Sequence, residues 1–105
     1  MTYLSALQVK NLLAKKGIKR GTKTSYAKNP RNGLTTTQLG DGWVMVEFFD
    51  SAEAMKEKVD PRSYNHDMRE IIHFVLKDMH EFEYRHEARP NPFGTAYDHF
   101  YRKAI

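Results

Sequence analysis

Two groups of residues in this chain have types and spacings that could do chemistry. The first is cationic: Lys15, Lys16, Lys19, Arg20, Lys23, Lys28 and Arg31 follow one another closely, broken by Gly17, Gly21 and Pro30 and interleaved with Thr22, Thr24, Ser25 and Tyr26. Such a stretch offers ammonium, guanidinium, hydroxyl and backbone N–H donors together, the set that a phosphate backbone accepts. Tyr26 stands amid these cations, where an aromatic ring can meet a base or a sugar. Lys15, Lys16, Lys19, Arg20, Lys23, Tyr26, Lys28 and Arg31 are therefore the candidate nucleic-acid-binding residues. The same charges would also suit an acidic protein surface, the acidic half of a second copy, or water.

The second group is imidazole. His66, His73 and His80 recur every seven residues, so on one helix they share a face with Glu70, Lys77 and Tyr84. Residues seven apart on a helix stand about 10.5 Å from each other, whereas two ligands of one zinc bring their ligating atoms within about 3–4 Å. Glu70-x-x-His73 and Glu83-x-x-His86 match the pairs found in di-iron bundles, but such centres need carboxylates from further helices. The histidine stripe is thus expected to be a solvated or interfacial face, able to form a pH-sensitive dimer seam, and not a metal site. His99, among Tyr97, Phe100 and Tyr101, reads as structural, and the tyrosines other than Tyr26 read as residues of the core edge.

No catalytic fingerprint accompanies these groups. The chain has no cysteine, no Gly-x-Gly-x-x-Gly, no Gly-x-Ser-x-Gly, no His-Glu-x-x-His and no phosphate loop. No enzymatic activity, catalytic residue, metal or cofactor is expected. The 105 residues suit a single domain, 1–105. Hydrophobic residues at 40% and a mean hydropathy of -0.72 argue against a membrane protein, and 12% aromatics argue against disorder. With no apolar leader at the N-terminus, a cytoplasmic location is expected.

Charge divides the chain in two. The basic half, 1–40, carries eight cations and no acid, whereas the acidic, helix-rich half, 41–105, carries 13 acids against nine Lys and Arg. The formal net charge of +4 is therefore the remainder of two opposed halves.

The elements that must position these residues can be read from local signals. Ser5 is an N-cap with Gln8 as its capping-box partner, and Leu4 and Val9 are the hydrophobic staple. The helix this opens should begin near Ala6 and stop at Lys16, with Gly17 in the left-handed position and Ile18 folded back on Leu13. From Thr22 to Asp50 the pattern changes to strands: Thr22 to Tyr26, Leu34 to Leu39 and Trp43 to Phe49, with turns at 29–33 and 40–42. The last of these is almost wholly apolar, so it should be central. Asp50-x-x-Glu53 caps a short helix to about Lys58, and Asp60-Pro61 opens another. That one is expected to run over 61–88 with Met68, Ile71, Ile72, Val75, Met79 and Phe82 as its stripe. At about 1.5 Å per residue it would outreach a small domain, so a homodimer through it is expected. Pro90 and Pro92 end it, and Thr95-x-x-Asp98 opens a last short helix.

Two resemblances accompany this pattern. Asp41-Gly42-Trp43-Val44-Met45-Val46-Glu47-Phe48, followed by Asp50-Ser51-Ala52-Glu53-Ala54, resembles the RNP1 strand and following helix of an RNA-recognition motif. Asp41 replaces that family's basic residue and Met45 an aromatic one, so no base-stacking role is carried over. The order helix, three strands, helix is similar to that of a double-stranded-RNA-binding domain, without its Lys-Lys cluster at the second helix. The size and one-sided charge resemble small phage or mobile-element proteins. The fold class expected is α+β: an N-terminal helix, a three-stranded antiparallel meander, then two to three helices including one long helix. The function expected is non-enzymatic binding of DNA or RNA. The alternative is an inhibitor or adaptor module docking on a larger protein.

Overall fold

The structure, a computed structural model, describes residues 1–18, 33–49, 66–91 and 94–105. Helix α1 spans Ala6–Ala14 and begins as its capping chemistry dictates. The Gln8 N–H donates to Ser5 Oγ at 3.2 Å and the Ser5 N–H donates to Gln8 Oε1 at 2.8 Å, so two of the helix's orphan donors are satisfied reciprocally. Gly17 ends the turn at φ +82°, and the Ile18 N–H reaches back to the Leu13 carbonyl at 3.1 Å. Ile18 is thereby folded into the core with Val9 and Leu13.

Strands β1 (Gly33–Gln38) and β2 (Val44–Phe49) form an antiparallel hairpin in which Leu34 faces Phe48 and Thr36 faces Val46. A 3-10 turn, Gly40–Gly42, joins them. Gly42 is required there: its φ is +81°, and a Cβ would collide with the Tyr3 side chain. Thr36 Oγ1 donates to the Ala6 carbonyl and the Ala6 N–H donates to Gln38 Oε1, so side chains of β1 complete the N-terminus of α1.

The C-terminal half overturns the expected long helix. Helix α2 spans His66–His73, continues as π-helical turns over Phe74–Met79, and closes with the His80 N–H on the Val75 carbonyl. Glu81 takes a positive φ of 57°, and the chain turns into strand β3, Glu83–Asn91, where helix was expected up to residue 88. Strand β4, Gly94–Arg102, likewise replaces the expected last helix. The sheet is four-stranded and antiparallel in the order β1-β2-β4-β3, so β2 is internal as its apolar run requires. The fold is α+β with two helices and four strands among the described residues, and not a three-stranded meander with a long helix.

The physical reason lies in a change of period at Phe82. Before it, Met68, Ile72, Val75 and Leu76 fit a helical stripe; after it, Tyr84, His86 and Ala88 alternate with Glu83, Arg85, Glu87 and Arg89. The register sets Tyr84 opposite Tyr101, Arg85 opposite Phe100 and His86 opposite His99. One face of this hairpin is consequently aromatic and imidazole, the other ionic. On the ionic face Arg102 forks onto Glu83 at 2.8 and 2.9 Å and stacks between Tyr3 and Trp43, while Arg85 lies over Phe100. The apolar stripe expected to seek a second copy is largely consumed within the chain: Ile72, Val75 and Phe82 are buried and Met68 packs against the core.

Both helices cover the same sheet face, around a core of Val9, Leu13, Val44, Val46, Ile72, Leu76, Phe82 and Tyr101. Each large apolar side chain buried there stabilises the fold by about 1.5–3 kcal/mol before the opposing loss of chain entropy. The expected strand over 22–26 and the expected helix over 51–58 lie outside the described residues, as does the cap at Asp60. No helix among the described residues is long and apolar enough to cross a membrane.

Candidate nucleic-acid interface and histidine cleft

Lys15 and Lys16 are the members of the cationic run that the structure describes. Both are exposed, placed where α1 gives way to the Gly17 turn. They line a cleft of about 500 Å3 together with Gln8, Asn11 and His80, over an apolar base of Leu4 and Leu12. None of these lining residues is a carboxylate. Among the described residues, the cleft therefore presents ammonium and amide donors without a competing carboxylate. Lys19, Arg20, Lys23, Tyr26, Lys28 and Arg31 lie outside the described residues.

A second cleft, of about 590 Å3, lies between α2 and the aromatic face of the β3–β4 hairpin, lined by Arg69, Glu70, His73, Phe74, Asp78, Tyr84, His86 and His99. Sequence reasoning placed His73, Tyr84 and His86 on one helix and left His99 apart. The tertiary structure brings all four together from three elements. The His73 ring meets Tyr84 edge-on at 4.6 Å between centroids, and Tyr84 stacks on His86 at 5.8 Å and on His99 at 6.0 Å.

Arg69 anchors this cluster. It is 8% exposed; Nη1 donates to the Val46 carbonyl at 3.3 Å, and Nη2 donates to the Tyr101 hydroxyl at 3.0 Å. Tyr101 Oη also lies 3.0 Å from His73 Nδ1. Because Arg69 has no acceptor to offer, the Tyr101 hydroxyl accepts from it and donates its own hydrogen bond to His73 Nδ1, which assigns the His73 proton to Nε2. The Tyr84 hydroxyl shares a hydrogen bond of 2.7 Å with His99 Nδ1.

Burial sets the electrostatics. Desolvation, reinforced by the Arg69 charge, holds His99 down to about 4 and lowers His73, so both rings are neutral at pH 7. On His73, Asp78 pulls the other way and Lys77 adds to the depression. His86 and His73 add to it on His99. Tyr101 is pushed up to about 12 by burial against the pull of Arg69, and Tyr84 is raised by burial, so both phenols remain protonated donors.

The cleft was legible in one respect. The alternations Tyr84, His86 and Tyr97, His99, Tyr101 each put an aromatic or imidazole at every second residue, a strand signal that the helical reading of this region masked. Arg69 carried no signal at all, since only its burial distinguishes it. Among the described residues, no three His, Asp or Glu side chains converge as a metal ion requires. The chain matches no protein-family model, no curated protein and no solved structure.

Proposed function

We propose that this protein binds nucleic acid, DNA or RNA, by neutralising phosphates along its basic N-terminal segment, with little readout of sequence and without catalysing a reaction. The observation that carries this reading is the cleft at the end of α1, whose described lining holds no carboxylate and in which Lys15 and Lys16 stand exposed beside amide donors. The chain continues directly from that cleft into Lys19, Arg20, Lys23, Tyr26, Lys28 and Arg31, all within the half that holds eight cations and no acid. Exposed lysines are suited to this work because they keep their hydration and mobility and exchange counterions for phosphates.

Binding measured by fluorescence anisotropy against salt, with single- and double-stranded DNA and RNA, tests the proposal. A steep log–log slope is expected. Changing Lys19, Arg20, Lys23 and Lys28 together to alanine should weaken binding to all sequences alike and lower the slope by about one unit for each phosphate that is no longer neutralised. Unchanged affinity and slope would overturn the proposal in favour of the inhibitor or adaptor reading, in which the same cations dock on an acidic protein.

A further inference from the structure

We propose that the outer edge of β3 is a homodimer interface, at which two copies of this chain pair their β3 strands antiparallel about a twofold axis at His86 and join two sheets into one. The proposal is independent of the nucleic-acid reading, which rests on the cleft of Lys15 and Lys16 and the cations that follow it.

The first argument is which backbone groups face outward. β3 is the last strand in the order β1-β2-β4-β3, and among the described residues no strand pairs with its far side. Pro90 lies in β3 opposite Thr95. It has no N–H, and a proline within a sheet keeps its nitrogen on the side away from the ladder. In an antiparallel strand every second residue directs its N–H and carbonyl to the same side, so Tyr84, His86 and Ala88 present theirs at the outer edge along with Pro90. Both His86 and Ala88 are exposed. Such a row of unpaired donors and acceptors is a template for another strand.

The second argument is register. With the axis at His86, that residue meets its own counterpart and Tyr84 meets Ala88 of the second copy, each pair exchanging two backbone hydrogen bonds. A large ring is thereby set against a small methyl on both sides of the axis. The same register opposes unlike charges: Glu83 lies across from Arg89 of the second copy, and Arg85 across from its Glu87. An axis at Arg85 would oppose that arginine to itself and Glu83 to Glu87; an axis at Glu87 would oppose that glutamate to itself and Arg85 to Arg89. Like charges directly opposite are destabilising, which disfavours both. An axis at Ala88 sets His86 against Pro90, which has no donor, and one at Tyr84 sets it against Phe82, outside the strand. The alternating charges of β3 therefore select His86 as the centre. The Glu87 side chain is 64% exposed, so it is accessible to a second chain while it pairs with Arg85 of its own strand.

The third argument is the apolar surface beside this edge. Phe74, 55% exposed, lines the cleft with Tyr84 and His86, and Tyr97, 46% exposed, meets the His86 ring edge-on at 5.4 Å between centroids. Each copy brings these rings close to the axis, so backbone pairing is accompanied by burial of aromatic surface.

The test is sedimentation equilibrium of the full chain, free of nucleic acid, from about 1 μM to about 1 mM, with amide hydrogen exchange measured at both ends of that range. A mass rising from 12.3 kDa to twice that value is expected, with the amides of Tyr84, His86 and Ala88 exchanging slowly only in the dimer. His86→Pro repeats at the centre of the edge what Pro90 already does in the same strand; it removes the central donor and should abolish the dimer. Glu87→Lys and Arg85→Glu each oppose like charges and should weaken self-association at least about tenfold. An equimolar mixture of these two variants opposes unlike charges again and should form the heterodimer, which keeps the proposal falsifiable if His86→Pro does not fold. A monomer at about 1 mM would overturn the proposal. So would a dimer in which those three amides exchange as fast as in the monomer, or a mixture that associates no better than either variant alone.

Discussion

Lys15 and Lys16 at the end of α1 and Arg69 inside α2 carry the same formal charge and stand in opposite situations. The lysines are exposed in a cleft with no carboxylate among its described lining residues, whereas Arg69 is buried, held by Val46 and Tyr101, and adds to burial in suppressing the protonation of His73 and His99. Exposed charge acts at long range, is screened by salt and costs the fold little. Buried charge acts over one or two bonds and draws its neighbours into a network. The difference shows that net charge locates a sticky surface, while a specific site has to be built by burial and hydrogen bonding.

The largest effect is expected where the network is cut at its centre. Tyr101→Phe removes the hydroxyl that joins Arg69 to His73 and leaves both without that partner. Its expected cost is about 1–3 kcal/mol of unfolding free energy in urea, and an unchanged midpoint would show that the network contributes nothing. Tyr84→Phe, at a half-buried position with one hydrogen bond, should cost about 1 kcal/mol.

Acidification should act on the histidine cleft before any other region described. His73 and His99 titrate below their ordinary 6.5, so the unfolded chain takes up protons first as pH falls. Their contribution to stability is complete above pH 6.5 and is lost as pH falls through that value towards about 4. Thermal melts over this window should show a declining Tm, with a smaller decline in His99→Gln. The hydrogen bond from Arg102 holds Glu83 below its ordinary 4.5, so that pair loses its contribution only at lower pH.

The smallest effect on stability belongs to the lysines. Lys15→Ala with Lys16→Ala should change unfolding free energy by no more than about 0.5 kcal/mol, since neither side chain is buried. The same variant should lower the salt slope of nucleic-acid binding by about two units, one per lysine, under the proposed function. A large loss of stability with an unaltered slope would reverse the roles assigned to the two clefts.

Local sequence dictates the part of the fold governed by residues within a few positions of each other. Ser5 and Gln8 cap α1, Gly17 stops it and returns Ile18 to Leu13, and the turn at Gly40–Gly42 folds β1 onto β2, because each of these depends on bonds closed within one turn of chain. The cationic run was equally plain, and Lys15 and Lys16 do share a cleft. The tertiary structure decided the rest. Over 66–102 a helical stripe and a two-residue alternation are both present, and which one governs beyond Phe82 depends on whether β4 is there to pair with β3. Tyr101 meets His73 across 28 residues and Arg69 across 32. Neither the burial of Arg69 nor the neutrality of His99 is a property of its neighbours in sequence; both arise from desolvation by elements that only the folded sheet brings together.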